Sequence, residues 1–308
     1  MSAAYVPRRP ARSHHVPVRG LSYHCLVWGE PSQASTDRPL LVLTHGWMDV
    51  GASFQFVVDA LAAIEGDARC IVAPDWRGFG GSMVPEGRDS YWFPDYLGDL
   101  DALIDALSPD APVDLAGHSM GGNVVMSYAG VRPARVRRLV NLEGFGLPAT
   151  QPHHTLKRIA QWLDELKVPI HLHPYADADA VAARLHKNNP RLTPDKAAWL
   201  AMQWAEPRAD GRWHLRADPA HKRVNPVLYR VDEVIATWQA IRAPLLWIEG
   251  ADTDVAKWWG DRYPRAEFES RLSVVPALTR VRLDDCGHML HHDQPERMAA
   301  HLRQFLVA

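Results

Sequence analysis

Cysteine is scarce: three residues in 308, Cys25, Cys70 and Cys286, an odd number with no metal-ligand spacing. This excludes a disulfide framework and fits buried thiols in a reducing compartment, so a cytoplasmic protein is expected. No charge of one sign dominates, with 34 Lys and Arg against 36 Asp and Glu, which leaves no electrostatic case for nucleic acid or an anionic membrane. No long apolar run follows the basic Arg8, Arg9 and Arg12, so neither a signal peptide nor a membrane span is expected, and residues 1–13 are expected to form a flexible tail. Internal repeats and low-complexity tracts are missing too. The histidine clusters His153-His154, His171-x-His173 and His291-His292 share no cysteine or carboxylate at the spacing of a known site, so neither metal nor cofactor is expected.

What the chain does have is a βαβ rhythm. Residues 14–19 and 22–28 predict a leading hairpin. Short apolar runs at 40–44, 70–73, 112–116, 136–142, 244–249 and 279–283 are of the kind buried in a parallel sheet. Helical spacing fills 53–63, 91–107, 122–129 and 294–307 between and after them. The expected architecture is α/β, a mostly parallel doubly wound sheet. The rhythm breaks over residues 148–240, which are helical in pattern, rich in Trp and His and punctuated by prolines. This segment reads as a helical cap inserted after the sixth strand, dividing a core of residues 1–147 and 241–308.

The most informative segment is Gly117-His118-Ser119-Met120-Gly121, between a predicted strand and a predicted helix. A G-x-S-x-G turn holds its serine in a strained conformation and needs small residues two positions either side, so that strand and helix can approach. The hydroxyl then stands at a helix N-terminus, where developing negative charge is favoured. Ser119 is the candidate nucleophile.

A serine nucleophile needs a base, an orienting acid and an oxyanion hole. The base is expected to be His288, on the flexible Asp285-Cys286-Gly287-His288 loop just beyond the last predicted strand. His291, His292 and His301 read as cap-facing, helix-start and helix-face residues. Thr44-His45-Gly46-Trp47-Met48-Asp49 follows the third strand, and the backbone amides of Trp47 and Met120 are expected to form the oxyanion hole. His45 reads as a hydrogen-bonder that fixes this loop rather than as a base. Three acids stay open: Glu143 after the sixth strand, and Asp252 or Asp254 after the seventh. Residues expected to border a substrate are His45, Trp47, His118, Trp162, Trp199 and Trp204; these tryptophans, with Trp213, suggest an aromatic cavity wall in the cap.

Ser119, His288, the His45-Gly46-Trp47 loop and Asp75-Trp76-Arg77-Gly78-Phe79-Gly80-Gly81-Ser82 together resemble the α/β-hydrolase fold superfamily over nearly the whole chain, with the motifs in family order. Within it, His45-Gly46-Trp47-Met48-Asp49 with Ser53-Phe54 is similar to the serine hydrolase-like proteins. The sequence departs from the family pattern at the frequent acid site after strand seven, which falls on Thr253. The resemblance to serine hydrolase-like and dehalogenase-like relatives with an acid after strand six favours Glu143. Haloalkane dehalogenases and epoxide hydrolases resemble this chain except for an aspartate at the Ser119 position.

These features together imply a cofactor-free serine hydrolase acting on a small ester, thioester or lactone with an apolar acyl or aromatic group, as a monomer or homodimer. A C–C bond hydrolase or a cofactor-free haloperoxidase uses the same triad. The reading from another class is a non-catalytic small-molecule receptor on a hydrolase scaffold.

Overall fold

The computed structural model describes residues 5–84 and 88–307. An antiparallel pair leads, β1 (Arg12–Val18) with β2 (Leu21–Trp28). Then come β3 (Leu41–Thr44), α1 (Gln55–Glu65), β4 (Ile71–Pro74), α2 (Phe93–Leu107), β5 (Val113–His118), α3 (Met120–Val131) and β6 (Val136–Leu142). The intervening segment holds α4 (His154–Leu166), α5 (Ala178–Asn188), α6 (Pro194–Trp204), a short hairpin of β7 (Ala205–Pro207) with β8 (Trp213–Leu215), and α7 (Val231–Gln239). The chain returns to the sheet with β9 (Leu245–Gly250), α8 (Ala256–Trp259), α9 (Arg265–Leu272), β10 (Leu278–Leu283), α10 (Leu290–Asp293) and α11 (Pro295–Val307).

One sheet runs β1-β2-β4-β3-β5-β6-β9-β10, antiparallel as far as the β2–β4 pair and parallel from β4 onward. Central strands such as Leu41–Thr44 and Ile71–Pro74 are buried at every residue, as continuous apolar runs covered on both faces must be. One face packs under α1 and α11 through Val57, Val58, Leu61, Met298 and Leu302. The other lies under α2, α3, α7 and α9 through Leu100, Val124, Val125, Trp238 and Phe268. Because β3, β5, β6, β9 and β10 are parallel, the loops leaving their carboxyl ends gather along one edge, where ligands of open α/β sheets bind.

Two expectations need correction. Of the expected tail, residues 12 and 13 open β1, and the described segment before them is pinned to α1 and the turn after it: the Tyr5 hydroxyl and the Arg8 and Arg9 amides all donate to Asp59, and the Arg9 guanidinium donates to the Asp67 and Arg69 carbonyls. Residues 1–4 lie outside the described residues. The inserted segment is not wholly helical, since β7 and β8 interrupt it, and α7 packs on the core rather than in the cap. Its Trp238 is buried in the main cluster, and the backbone at Thr237 comes so close to α3 that a Cβ on Gly130 would lie 1.9 Å from the Thr237 oxygen. No helix among the described residues is long and apolar enough to cross a membrane.

Candidate active site

Ser119 occupies the single residue between β5 and α3, at φ 52° and ψ −113°. For a residue with a Cβ that is a strained, left-handed setting, and it is held by close packing on both sides. A Cβ at Gly117 would lie 2.4 Å from the Gly121 carbonyl oxygen, and one at Gly121 would lie 2.4 Å from the Thr44 oxygen. The glycines flanking the serine are therefore required by the approach of α3 to β5 and to the loop after β3.

The Ser119 hydroxyl lies 3.1 Å from His288 Nε2. On the far side of the ring, His288 Nδ1 lies 2.7 Å from Glu143 Oε2. Glu143, one residue past β6, is buried and itself has positive φ, 56°. Its other oxygen, Oε1, accepts from the Gly250 amide at 2.6 Å and from the Thr253 hydroxyl at 2.7 Å. Burial pushes the Glu143 carboxyl up to about 8, and the Thr253 hydroxyl and Gly250 amide pull the other way. The imidazole Nδ1–H is a third donor, and three donors converging on the carboxylate together favour its ionised form against the cost of burial. Burial pulls His288 down to about 4, which leaves the resting ring neutral and able to accept a proton.

Asp252 does not reach the imidazole. Its carboxylate pairs with Arg191 at 2.6 Å, half exposed on the surface. Asp254 Oδ1 accepts the Ala256 amide as α8 begins. Both sit on the loop after β9, but that loop presents Thr253 to the site, and Thr253 holds Glu143.

The loop after β3 carries Trp47 at the surface, 51 % exposed, with Met48 at φ 57°. Met120 opens α3, so its amide is one of the first-turn donors without an intrahelical acceptor. His45 is fully buried: its Nδ1–H donates to the Gly46 carbonyl and its Nε2 accepts the Trp76 amide at 2.8 Å. It locks the loop and is not a substrate-lining residue. His118 is likewise buried, its Nε2–H donating to the His288 carbonyl at 2.8 Å, and burial lowers it to about 3. It braces the His288 loop from behind.

The expected tryptophan wall is dispersed. Trp162 bonds Ser90 and meets Trp92 edge-on; Trp199 packs on Tyr5 and Phe56; Trp204 borders a water-sized cavity of about 10 Å³ with Met48 and Asp49. Trp258 was missed by the sequence reading, since it belongs to a short helix with no periodic signal, yet its ring lies 4.6 Å from that of His288. His291 does not face the cap, whereas His292 reaches it through Phe56, which packs on Trp199 of α6. Both are buried beneath the site against Phe54 and Phe56. The fold also gathers Asp49, His118 and His291, although their spacing in the sequence gave no metal signal. The Asp75 turn ties the core together: its carboxylate accepts from the Gly51 and Gly81 amides and pairs with His24.

Residues 39–295 match the family model of the alpha/beta hydrolase fold. The chain belongs to that family. The 3-hydroxybutyrate-oligomer hydrolase of Cupriavidus necator is 29% identical over 289 residues, covering 91% of this chain and 90% of that protein. A serine hydrolase-like protein of Danio rerio is 25% identical over 315 residues, 97% of this chain and 89% of its own length. Among solved structures, the thioesterase domain from the curacin biosynthetic pathway superposes with a TM-score of 0.81 at 23% identity, covering 95% of this chain and 99% of that one. The protein is thus a member of a hydrolase family and resembles its serine hydrolase-like group.

Proposed function

We propose that the protein is a serine hydrolase that cleaves a carboxylic ester through Ser119, His288 and Glu143, by way of an acyl-enzyme. The supporting observation is the continuous hydrogen-bonded chain from the Ser119 hydroxyl through both nitrogens of His288 to a buried Glu143.

In this mechanism Ser119 Oγ attacks the ester carbonyl carbon while His288 Nε2 takes its proton. The imidazolium so formed is stabilised by Glu143, whose Oε1 is anchored by Gly250 and Thr253 and whose Oε2 keeps the proton on Nδ1. The Trp47 and Met120 amides receive the oxyanion, beside the positive end of α3. His288 then passes its proton to the departing alkoxide, releasing the alcohol and leaving the acyl group on Ser119. Water, deprotonated by the same nitrogen, attacks the acyl carbonyl and releases the acid. Thioesters and lactones fit the same steps.

For the substrate, likeness to the 3-hydroxybutyrate-oligomer hydrolase supports a short ester of a hydroxy acid, and residues 148–230 serve as the cap that selects it. The three buried free cysteines suit a reducing, cytoplasmic setting. The test is turnover of a p-nitrophenyl ester series beside hydroxybutyrate dimers and trimers, with Ser119→Ala as the control. Turnover that survives in Ser119→Ala refutes the mechanism. Labelling of a folded protein by a fluorophosphonate, with no turnover of any ester, points instead to a receptor.

A further inference from the structure

Beneath the proposed catalytic site lies a second cluster that the hydrolysis does not use. Asp49 comes from the loop after β3, His118 is the last residue of β5, and His291 lies in α10. All three are buried, and each offers one ligand atom within 4.8 Å of the others. Asp49 Oδ2, His118 Nδ1 and both ring nitrogens of His291 make no hydrogen bond among the described residues. Four orphaned polar atoms on three neighbouring buried side chains are rare, and each demands a partner. His291 Nε2 and Asp49 Oδ2 are 3.8 Å apart, too far for a direct bond.

The remaining atoms of these side chains are already engaged in a way that prepares lone pairs for a cation. His118 Nε2–H is spent on the His288 carbonyl, which fixes the tautomer and leaves Nδ1 unprotonated. Asp49 Oδ1 accepts the Val50 amide at 2.8 Å and the Ser53 hydroxyl, which orients Oδ2 inward. Carbonyl-braced histidines and hydrogen-bonded carboxylates are the supporting shell of transition-metal sites. Two imidazoles and one carboxylate suit Zn²⁺ or Co²⁺ and disfavour Ca²⁺ or Mg²⁺, which want oxygen. In a tetrahedral zinc site with bonds of about 2.0 Å the ligand atoms lie ~3.3 Å apart, so the Asp49–His291 pair at 3.8 Å needs to close by about half an ångström, and the widest pair, within 4.8 Å, by up to about one and a half.

We propose that Asp49, His118 and His291 bind one divalent transition-metal ion, behind the nucleophile. The ion cross-links three segments that carry the site: the oxyanion loop, the strand end that presents Ser119, and the helix after His288. It is expected to stiffen them.

The test loads metal-stripped protein with Co²⁺, desalts it, and measures retained metal and the visible spectrum. The expected result is one Co²⁺ per chain, with intense tetrahedral d–d bands and slow release to EDTA. His291→Gln and Asp49→Asn should each lower retention at least tenfold, while His153→Gln/His154→Gln, at a surface pair, should leave it unchanged. A wild type that retains no metal, its cluster bridged by water instead, overturns the proposal. So does retention that survives both cluster variants. Should both variants fail to fold by circular dichroism, the wild-type spectrum decides: weak octahedral bands or immediate loss to EDTA overturn the assignment.

Discussion

Glu143→Gln is the perturbation whose consequence can be worked most fully from the site. The side chain stays nearly isosteric, so packing is kept. Its two ends, however, are not equivalent. Oε1 is pinned by two donors, the Gly250 amide at 2.6 Å and the Thr253 hydroxyl at 2.7 Å, and only an oxygen satisfies both. The glutamine carbonyl must therefore take that place, which turns its NH₂ toward His288 Nδ1. An amide donor there forces Nδ1 to accept and moves the proton to Nε2, the nitrogen that must take the Ser119 proton. The wrong tautomer combines with loss of the charge that stabilises the imidazolium. That charge alone is worth about 4 kcal/mol for centres about 4 Å apart at an effective permittivity of about 20. This corresponds to about a thousandfold in rate. With the tautomer effect included, a fall in kcat of about 10⁴ is expected, the size seen when a triad aspartate becomes asparagine elsewhere. The assay is ester hydrolysis with the fold checked by circular dichroism, beside Asp252→Asn. Since Asp252 only pairs with Arg191 at the surface, its variant should stay within about twofold of wild type. A folded Glu143→Gln within tenfold of wild type, or an Asp252→Asn that loses activity as deeply, would refute the reasoning.

Other consequences are as direct. Gly117→Ala places a Cβ 2.4 Å from the Gly121 oxygen, so it should destabilise the fold by about 3 kcal/mol and abolish turnover; chemical denaturation reads the first and ester hydrolysis the second. His221 is stacked between Phe79 and Tyr91, and burial lowers it to about 3. A histidine depressed below its unfolded value of about 6.5 contributes stability that is full above that pH and lost as pH falls toward 3, amounting to about 2 kcal/mol by pH 5. Replacing it in His221→Phe should therefore flatten the decline in urea stability between pH 7 and pH 5 by that amount; an unchanged slope would show that the ring is not held neutral. Cys25, Cys70 and Cys286 are buried, and burial raises their thiols to about 12, 11 and 12. They should resist Ellman's reagent at pH 8 in the native protein and react, all three, in guanidinium.

Much of this was legible because the relevant signals are local. The G-x-S-x-G turn needs its glycines within five residues, and the alternation of apolar runs with helical spacing set the parallel strands in their order along the chain. His288 could be placed because it follows the last strand. The acid could not be read from spacing, since Glu143, Asp252 and Asp254 all follow strands that end on the same edge; the choice depends on which loop turns inward. Thr253, a departure from the family pattern on paper, donates to Glu143 in the structure. The histidines misled for a related reason. His118 reads as a substrate-bordering residue and His291 as cap-facing, but their burial follows from packing between elements far apart in the sequence, which no periodicity reports. The tail was misjudged because its anchor, Asp59, lies about fifty residues away in α1.

The measurement that bears most directly on the account is kcat for p-nitrophenyl ester hydrolysis by purified wild type and Ser119→Ala, together with mass spectrometry of fluorophosphonate-treated protein. The account predicts turnover by wild type, a fall of about 10⁵ or more in the variant, and a single adduct on Ser119. Comparable turnover in Ser119→Ala, or an adduct on another serine, would contradict it.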